Sequence, residues 1–417
     1  MNKSVFSKPL WVFFVVLSVY VCMSIVWSFL PRLPRDFKMH GDFHYRYNEI
    51  KCCQSGVNPY RIWSEEEASD IYCSLKNPVP EKSIVHVYPP WEYTFLSPLT
   101  AFPLKTAECI FFAMNFLGVV LIATVAFHLG YRPHRNIWHG CFVAACSMAT
   151  ARALYSAQMT QNFGILIAAS LMLMILALNK HHDVLAGICW AFMMVKPQLG
   201  TLFIIPLLVK KKYTTIAVAV LTCLLASIPP AVWSNTSPID LILHFIQAGD
   251  SGVYGTTLFP HSILSSLVPY VSIWFFIVIS VFITVPLCVI LTRKLRNASW
   301  HLAMCPAVVS SVVWTVSRDH DYMIYALVFM CVGVSVVETR KLRGNLLGLC
   351  LILTSLGSTF IIRFIKILSH FAYPACPLPD QFLDRTRAFS YIALFIIAAI
   401  WLWRVAKTRD NVLYNLK

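Results

Sequence analysis

Charge is what this chain has least of. Only 13% of its 417 residues are Asp, Glu, Lys or Arg, against 58% hydrophobic residues and a mean hydropathy of +0.66. That balance excludes a soluble globular protein of ordinary composition. Acidic residues are scarcer still, 19 against 34 basic ones, for a net charge of +15. In a soluble domain such an excess would suggest nucleic acid, but no nucleic-acid motif is present, and the basic residues sit in short clusters between apolar runs. The apolar stretch 9–30 lacks a small-residue cleavage site and has the length of a span, so it reads as an uncleaved first helix rather than a signal peptide. No metal-ligand spacing is visible, and no cofactor is implied. Most of the 14 cysteines lie within apolar segments, where a thiol behaves as a small hydrophobe. Cys52, Cys53, Cys73 and Cys376 fall in loops expected outside, where a bridge such as Cys53 to Cys73 is compatible with an oxidising compartment.

What is present is a series of apolar runs. Those suited to full spans lie near 10–30, 107–129, 138–155, 162–179, 213–233, 266–292, 301–317, 322–337, 345–369 and 388–404. The expected fold is therefore an all-α polytopic membrane protein of about ten spans, a single integral membrane domain over 1–417, with a long first outer loop at 31–106. One run does not fit. Residues 184–209 are too long for one ordinary span and too short for two, carry basic residues at both ends (His181, His182; Lys210, Lys211, Lys212), and are interrupted by Lys196-Pro197-Gln198. We read this run as a re-entrant broken-helix hairpin entered from the cytoplasm. With the N-terminus inside, 18 of the 34 Lys and Arg then fall on the inside and 7 elsewhere, once the long first loop is set apart. Treating 184–209 as a single span would move every later basic cluster across the membrane and destroy that bias.

On this topology the unusual polar residues gather on the outer side. Asp42 follows the first span and opens a helix in which Phe43, Tyr47 and Ile50 recur at helical spacing as an interfacial face, stopped by Gly56 and Asn58-Pro59. Asp42 is either a catalytic carboxylate or a helix N-cap or arginine partner. Tyr88-Pro89-Pro90-Trp91 reads first as a structural anchor of rigid, aromatic chain at headgroup depth. An ionisable Lys196 inside a membrane segment is expensive. It either snorkels or, with Pro197 opening a half-helix, holds an anionic group such as phosphate. Ser317-Arg318-Asp319-His320-Asp321 is weak alone, and His261-Ser262 lies in a loop that is either a lid or a plain connection.

Taken in order, these motifs resemble glycosyltransferase family 87, the polyprenyl-phosphate-mannose-dependent mannosyltransferases of the GT-C superfamily. The resemblance rests on Asp42, Gly56-Val57-Asn58-Pro59-Tyr60, Tyr88-Pro89-Pro90, Gln161-Asn162 heading a span, Lys196-Pro197-Gln198, and Ser317 with His320-Asp321-Tyr322. Two positions depart from the family pattern: Thr160 stands before Gln161 where glycine is common, and His261-Ser262 where an Asn-x-Ser pattern is expected. The resemblance implies an inverting, metal-independent transfer of a hexose, mannose in the family, from a polyprenyl-phosphate donor to a lipid- or glycan-linked acceptor hydroxyl, at the outer face of a bacterial plasma membrane. It assigns Asp42 as general base, Lys196, Gln198 and Arg318 to the donor phosphate, and Tyr45, Tyr60, Tyr88, Gln161, Asn162, His261 and His320 to substrate. Rival readings are an O-antigen ligase or polymerase using a polyprenyl-diphosphate glycan, whose large outer loop falls late in the chain, and a secondary transporter, which should show a second broken segment that is absent here.

Overall fold

The computed structural model describes residues 8–29, 42–61, 88–131, 136–250, 273–313, 319–339, 346–355 and 392–407. Among these residues the chain is helical, with no strand. Helix α1 (Lys8–Phe29) is followed by α2 (Asp42–Gln54), a 3₁₀ turn at Pro59–Arg61, and α3 (Pro90–Leu96), which Pro90 opens at a position where its missing N–H costs nothing. Next come α4 (Leu104–Gly130), α5 (Ile137–Ser147), α6 (Ala151–Met159) and α7 (Gly164–Asn179). Among the described residues, three helices are long and apolar enough to cross a membrane by length and composition: Leu104–Gly130, Tyr213–Trp233 and Asp321–Glu338. Several of the other apolar helices are shorter. On α4, Leu117 is 63% exposed while Phe111 and Ile122 are buried, so one stripe packs inward and the other is left for lipid.

Two expected elements differ. The run 138–155 is not one helix: a 3₁₀ turn at Met148–Thr150 divides α5 from α6. The face formed by Phe43, Tyr47 and Ile50 is buried rather than interfacial. Phe43 stacks on Phe111 of α4 with ring centroids 4.5 Å apart, and Tyr47 donates its hydroxyl to the Phe102 carbonyl at 2.8 Å. Gly56, with φ 91°, ends α2 as expected, because only a residue without Cβ adopts that conformation freely. Cys53 donates to the Pro230 carbonyl at 3.3 Å, while Cys73 and Cys376 lie outside the described residues.

Residues 183–212 fold back on themselves. Helix α8 (Asp183–Met193) stops three residues before Pro197, and the chain resumes as α9 (Pro197–Gly200), a 3₁₀ turn at Thr201–Phe203 and α10 (Ile204–Val209). Trp190 Nε1 donates to the Gly200 carbonyl at 2.8 Å across the bend, and Lys212 Nζ meets Asp183 Oδ1 at 2.8 Å where the two ends come together. A straight helix would hold residues 190 and 200 roughly 15 Å apart, so the bend is a true reversal. Beyond it lie α11 (Tyr213–Ala226), α12 (Ile228–Trp233), α13 (Pro238–Asp250), α14 (Ile273–Lys294) and α15 (Trp300–Ser311). A 3₁₀ segment, Asp319–Tyr325, leads into α16 (Ala326–Thr339), and further helix occupies 346–355 and 392–407.

Helix ends turn by a shared device. At Gln161, His181, Lys211 and Asn235 the backbone takes a left-handed conformation, with φ between 49° and 59°. In each case the next N–H reaches back five residues, as Asn162 N–H does to the Ala157 carbonyl at 2.8 Å, which satisfies a carbonyl left over at the helix end. At Gln161 this reversal aims Asn162 into the space between α2, α3, α8 and the 3₁₀ segment.

Candidate active site

Four elements distant in sequence meet around the Asn162 side chain. Asn162 Nδ2 donates to Asp42 Oδ2 and, at 3.3 Å, to the Tyr88 phenol oxygen. Its Oδ1 accepts from Lys196 Nζ at 2.8 Å and from the Gly164 N–H at 3.1 Å. A primary amide has two donor hydrogens and two acceptor lone pairs, and all four are engaged here. The amide's orientation is fixed without appeal to hydrogen positions: lysine only donates, so the oxygen must face Lys196 and the NH₂ must face Asp42. Asp42 Oδ2 is therefore an acceptor. Its backbone is tied to the same place, since Asp42 N–H donates to the Thr160 carbonyl at 2.6 Å.

Lys196 has a second partner. Nζ lies 2.6 Å from Asp321 Oδ1, and both side chains are buried. The lysine is thus half of an ion pair and does not snorkel to water. Its ammonium also stands 5.9 Å from the centre of the Tyr88 ring. Tyr88 is gripped from other sides too: Tyr60 Oη donates to its carbonyl at 2.7 Å, the Phe163 ring lies 5.9 Å away, and the Arg46 guanidinium sits 4.5 Å from its ring centroid. Arg46 pairs with Glu49 at 2.6 Å. Glu92 is fully buried close by. Burial pushes its carboxyl well above the usual carboxylate range; Arg46 opposes that shift and Glu49 adds to it. Burial on its own disfavours the charged form of Arg46, yet the Glu49 carboxylate beside it holds its guanidinium above its ordinary value.

Of the residues singled out in sequence, Asp42, Tyr88, Asn162 and Lys196 are joined directly by hydrogen bonds or ring contact, and Tyr60 through one further bond. Gln161 is buried beside them as the left-handed residue that aims Asn162. Gln198 is half-buried on the turn after Lys196, and Tyr45 stands half-buried on α2 next to His44. His320 falls in the 3₁₀ segment, its side chain outside the description, and His261 and Arg318 lie outside the described residues. The half-helix expected after Lys196 runs from Pro197 to Val209, with a 3₁₀ turn at Thr201–Phe203 inside it. Sequence reasoning missed Asp321 as the partner of Lys196, and it missed Arg46, Glu49 and Glu92. The i,i+3 spacing of Arg46 and Glu49 was the one local signal, and it reads as an exposed helix pair until the helix is seen to be buried.

Residues 86–248 match the model of glycosyltransferase family 87. This is the family that the motifs resemble. The matched segment carries Tyr88, Glu92, Asn162 and Lys196, while Asp42 and Asp321 approach it from either side of the chain. No curated protein matches the sequence. Together with the apolar helices, the family match over part of the chain supports a membrane glycosyltransferase in general terms, one acting on a sugar donor and an acceptor.

Proposed function

We propose that the chain transfers a hexose from a polyprenyl-phosphate donor to a hydroxyl of a lipid- or glycan-linked acceptor, with inversion, at the outer face of the membrane. The observation that carries this reading is the placement of one carboxylate and one ammonium on opposite ends of a single fixed amide: Asp42, Asn162, Lys196. In the proposed step the acceptor oxygen attacks the anomeric carbon and gives its proton to Asp42. The bond from that carbon to the phosphate oxygen breaks, and polyprenyl phosphate leaves with the electron pair. One displacement needs one base. Asn162 keeps Asp42 Oδ2 occupied as an acceptor and leaves Oδ1 for the incoming proton.

The leaving phosphate needs positive charge, and the ion pair limits what Lys196 supplies. Its third N–H is available for the phosphate, but Asp321 already offsets its charge. A further cation is required, and Arg318, three residues before Asp321 in sequence, is the residue proposed for it; Gln198 and His320 complete the assignment. Mannose is the proposed sugar on the family resemblance, and fixed cations do the electrostatic work, so added chelator should leave turnover unchanged.

The test is Asp42→Asn beside Lys196→Gln, assayed in membranes with polyprenyl-phosphate mannose. Asp42→Asn keeps size and removes the proton acceptor, so turnover should fall on the order of 100-fold or more with donor binding retained. Lys196→Gln should weaken donor affinity and rate together. Full transfer by correctly folded Asp42→Asn would sink the assignment of the base.

A further inference from the structure

A group of buried charges lies against Tyr88 that the proposed step does not use. Arg46 stands one turn after Asp42 on α2, ion-paired with Glu49 at 2.6 Å. Glu92, on α3, is 0% exposed, and neither of its carboxyl oxygens has a hydrogen-bond partner. Burying a guanidinium, a carboxylate and a second carboxyl group is costly beside burying apolar side chains of similar volume. The apolar face of α2, formed by Phe43, Tyr47 and Ile50, already fastens that helix to its neighbours, so anchoring alone gives no reason for the charges. What Arg46 does contact is the Tyr88 ring, 4.5 Å from its guanidinium carbon, and the phenol of that ring receives one of the two N–H bonds of Asn162.

We infer that Arg46 is a positioning residue: its guanidinium, held by Glu49, fixes the Tyr88 ring, and the Tyr88 phenol in turn holds the Asn162 amide square to Asp42. The inference rests on the reading of Asp42 as the base. A planar guanidinium suits the task because it lies over an aromatic face while keeping donors in its own plane for a carboxylate, which a lysine ammonium does not. Glu49 supplies the compensating charge, and a Glu92 that keeps its proton adds none, so the cluster stays neutral around the ring. Tyr88 is then a member of the scaffold that carries the base, not a sugar contact, and Arg46 acts at two removes from the reacting atoms.

Arg46→Lys, Tyr88→Phe and the double variant test this in the full chain. Arg46→Lys retains the charge facing Glu49, and Tyr88→Phe retains the ring, so both should fold. With polyprenyl-phosphate mannose, each single change should lower kcat roughly 10- to 100-fold with KM little altered, as expected when a reacting group is displaced by a fraction of a bond length. The double variant should be no slower than the slower single one, because both changes break the same link. Multiplied losses would mean that the two residues act independently and would overturn the inference. A cryo-EM structure of Arg46→Lys, which needs no substrate, should show the Tyr88 ring displaced and Asn162 drawn away from Asp42. An unmoved ring overturns the inference even if the donor is a different one. Asp42→Asn assayed alongside separates the two ideas: an active Asp42→Asn condemns the base, whereas an unmoved Tyr88 condemns only the role of Arg46.

Discussion

Lys196 and Asp321, 125 residues apart in the chain, meet at 2.6 Å with both side chains only 3% exposed. Breaking such a pair leaves an uncompensated buried charge, at a cost of about 3–5 kcal/mol, whereas apolar replacement of both partners is often neutral or stabilising. Asp321→Leu alone should therefore lower the thermal unfolding midpoint in detergent sharply. Lys196→Met with Asp321→Leu should restore the midpoint and leave transfer abolished. If the double variant stays active, the pair is structural only.

Asn162→Asp exchanges the amide NH₂ for a carboxylate oxygen against Asp42. Two like charges at hydrogen-bond distance must share a proton, so Asp42 loses its standing as a free acceptor. Transfer at neutral pH should fall by a factor on the order of 100. Turnover equal to the unsubstituted protein would show that Asn162 does not govern the base.

The pH dependence of stability should report on Glu92. Its folded carboxyl holds a proton well above the ordinary value of 4.5, mainly through burial, while the unfolded chain releases it near that value. The stability this proton contributes is therefore full below the ordinary value and is lost as pH rises from there through the folded value. Glu92→Gln has no proton to lose. Its unfolding midpoint relative to the unsubstituted protein should rise between pH 5 and pH 8. A constant difference across that range would mean that Glu92 is ionised in the fold.

The salt bridge between Asp183 and Lys212 joins the two ends of the folded-back segment. Single cysteines in place of His182 and Lys211, with interfering thiols removed, should respond alike to an impermeant reagent in intact cells, and neither should be labelled if the hairpin enters from the cytoplasm. Labelling of one and not the other would contradict a structure in which their neighbours touch.

Much of this site was legible because short motifs mark places where the backbone must do something unusual. Pro197 after a lysine in an apolar run signalled the break, and Gly56 signalled the end of α2. The positions that needed pairing across the fold were not legible. Nothing near Asp321 names Lys196 as its partner, and Arg46 with Glu49 looks like any surface pair on a helix. The face of Phe43, Tyr47 and Ile50 was found by its period but assigned the wrong neighbour, since apolar side chains facing lipid and facing protein look the same in sequence. The break at Met148–Thr150 carries no proline or glycine, so tertiary packing and not local chemistry decides it.

The left-handed backbone at Gln161 has a thermodynamic meaning for the reaction. A residue with a Cβ is held there at a cost of roughly 1 kcal/mol or more. That strain is met once, when the protein folds, and in exchange Asn162 has no need to search for Asp42 and Lys196 when substrate arrives. Glycine at this position would remove the strain and widen the range of orientations open to the amide. A Gln161→Gly protein would thus be easier to fold and slower to react, with reorganisation moved from the folding step into every turnover.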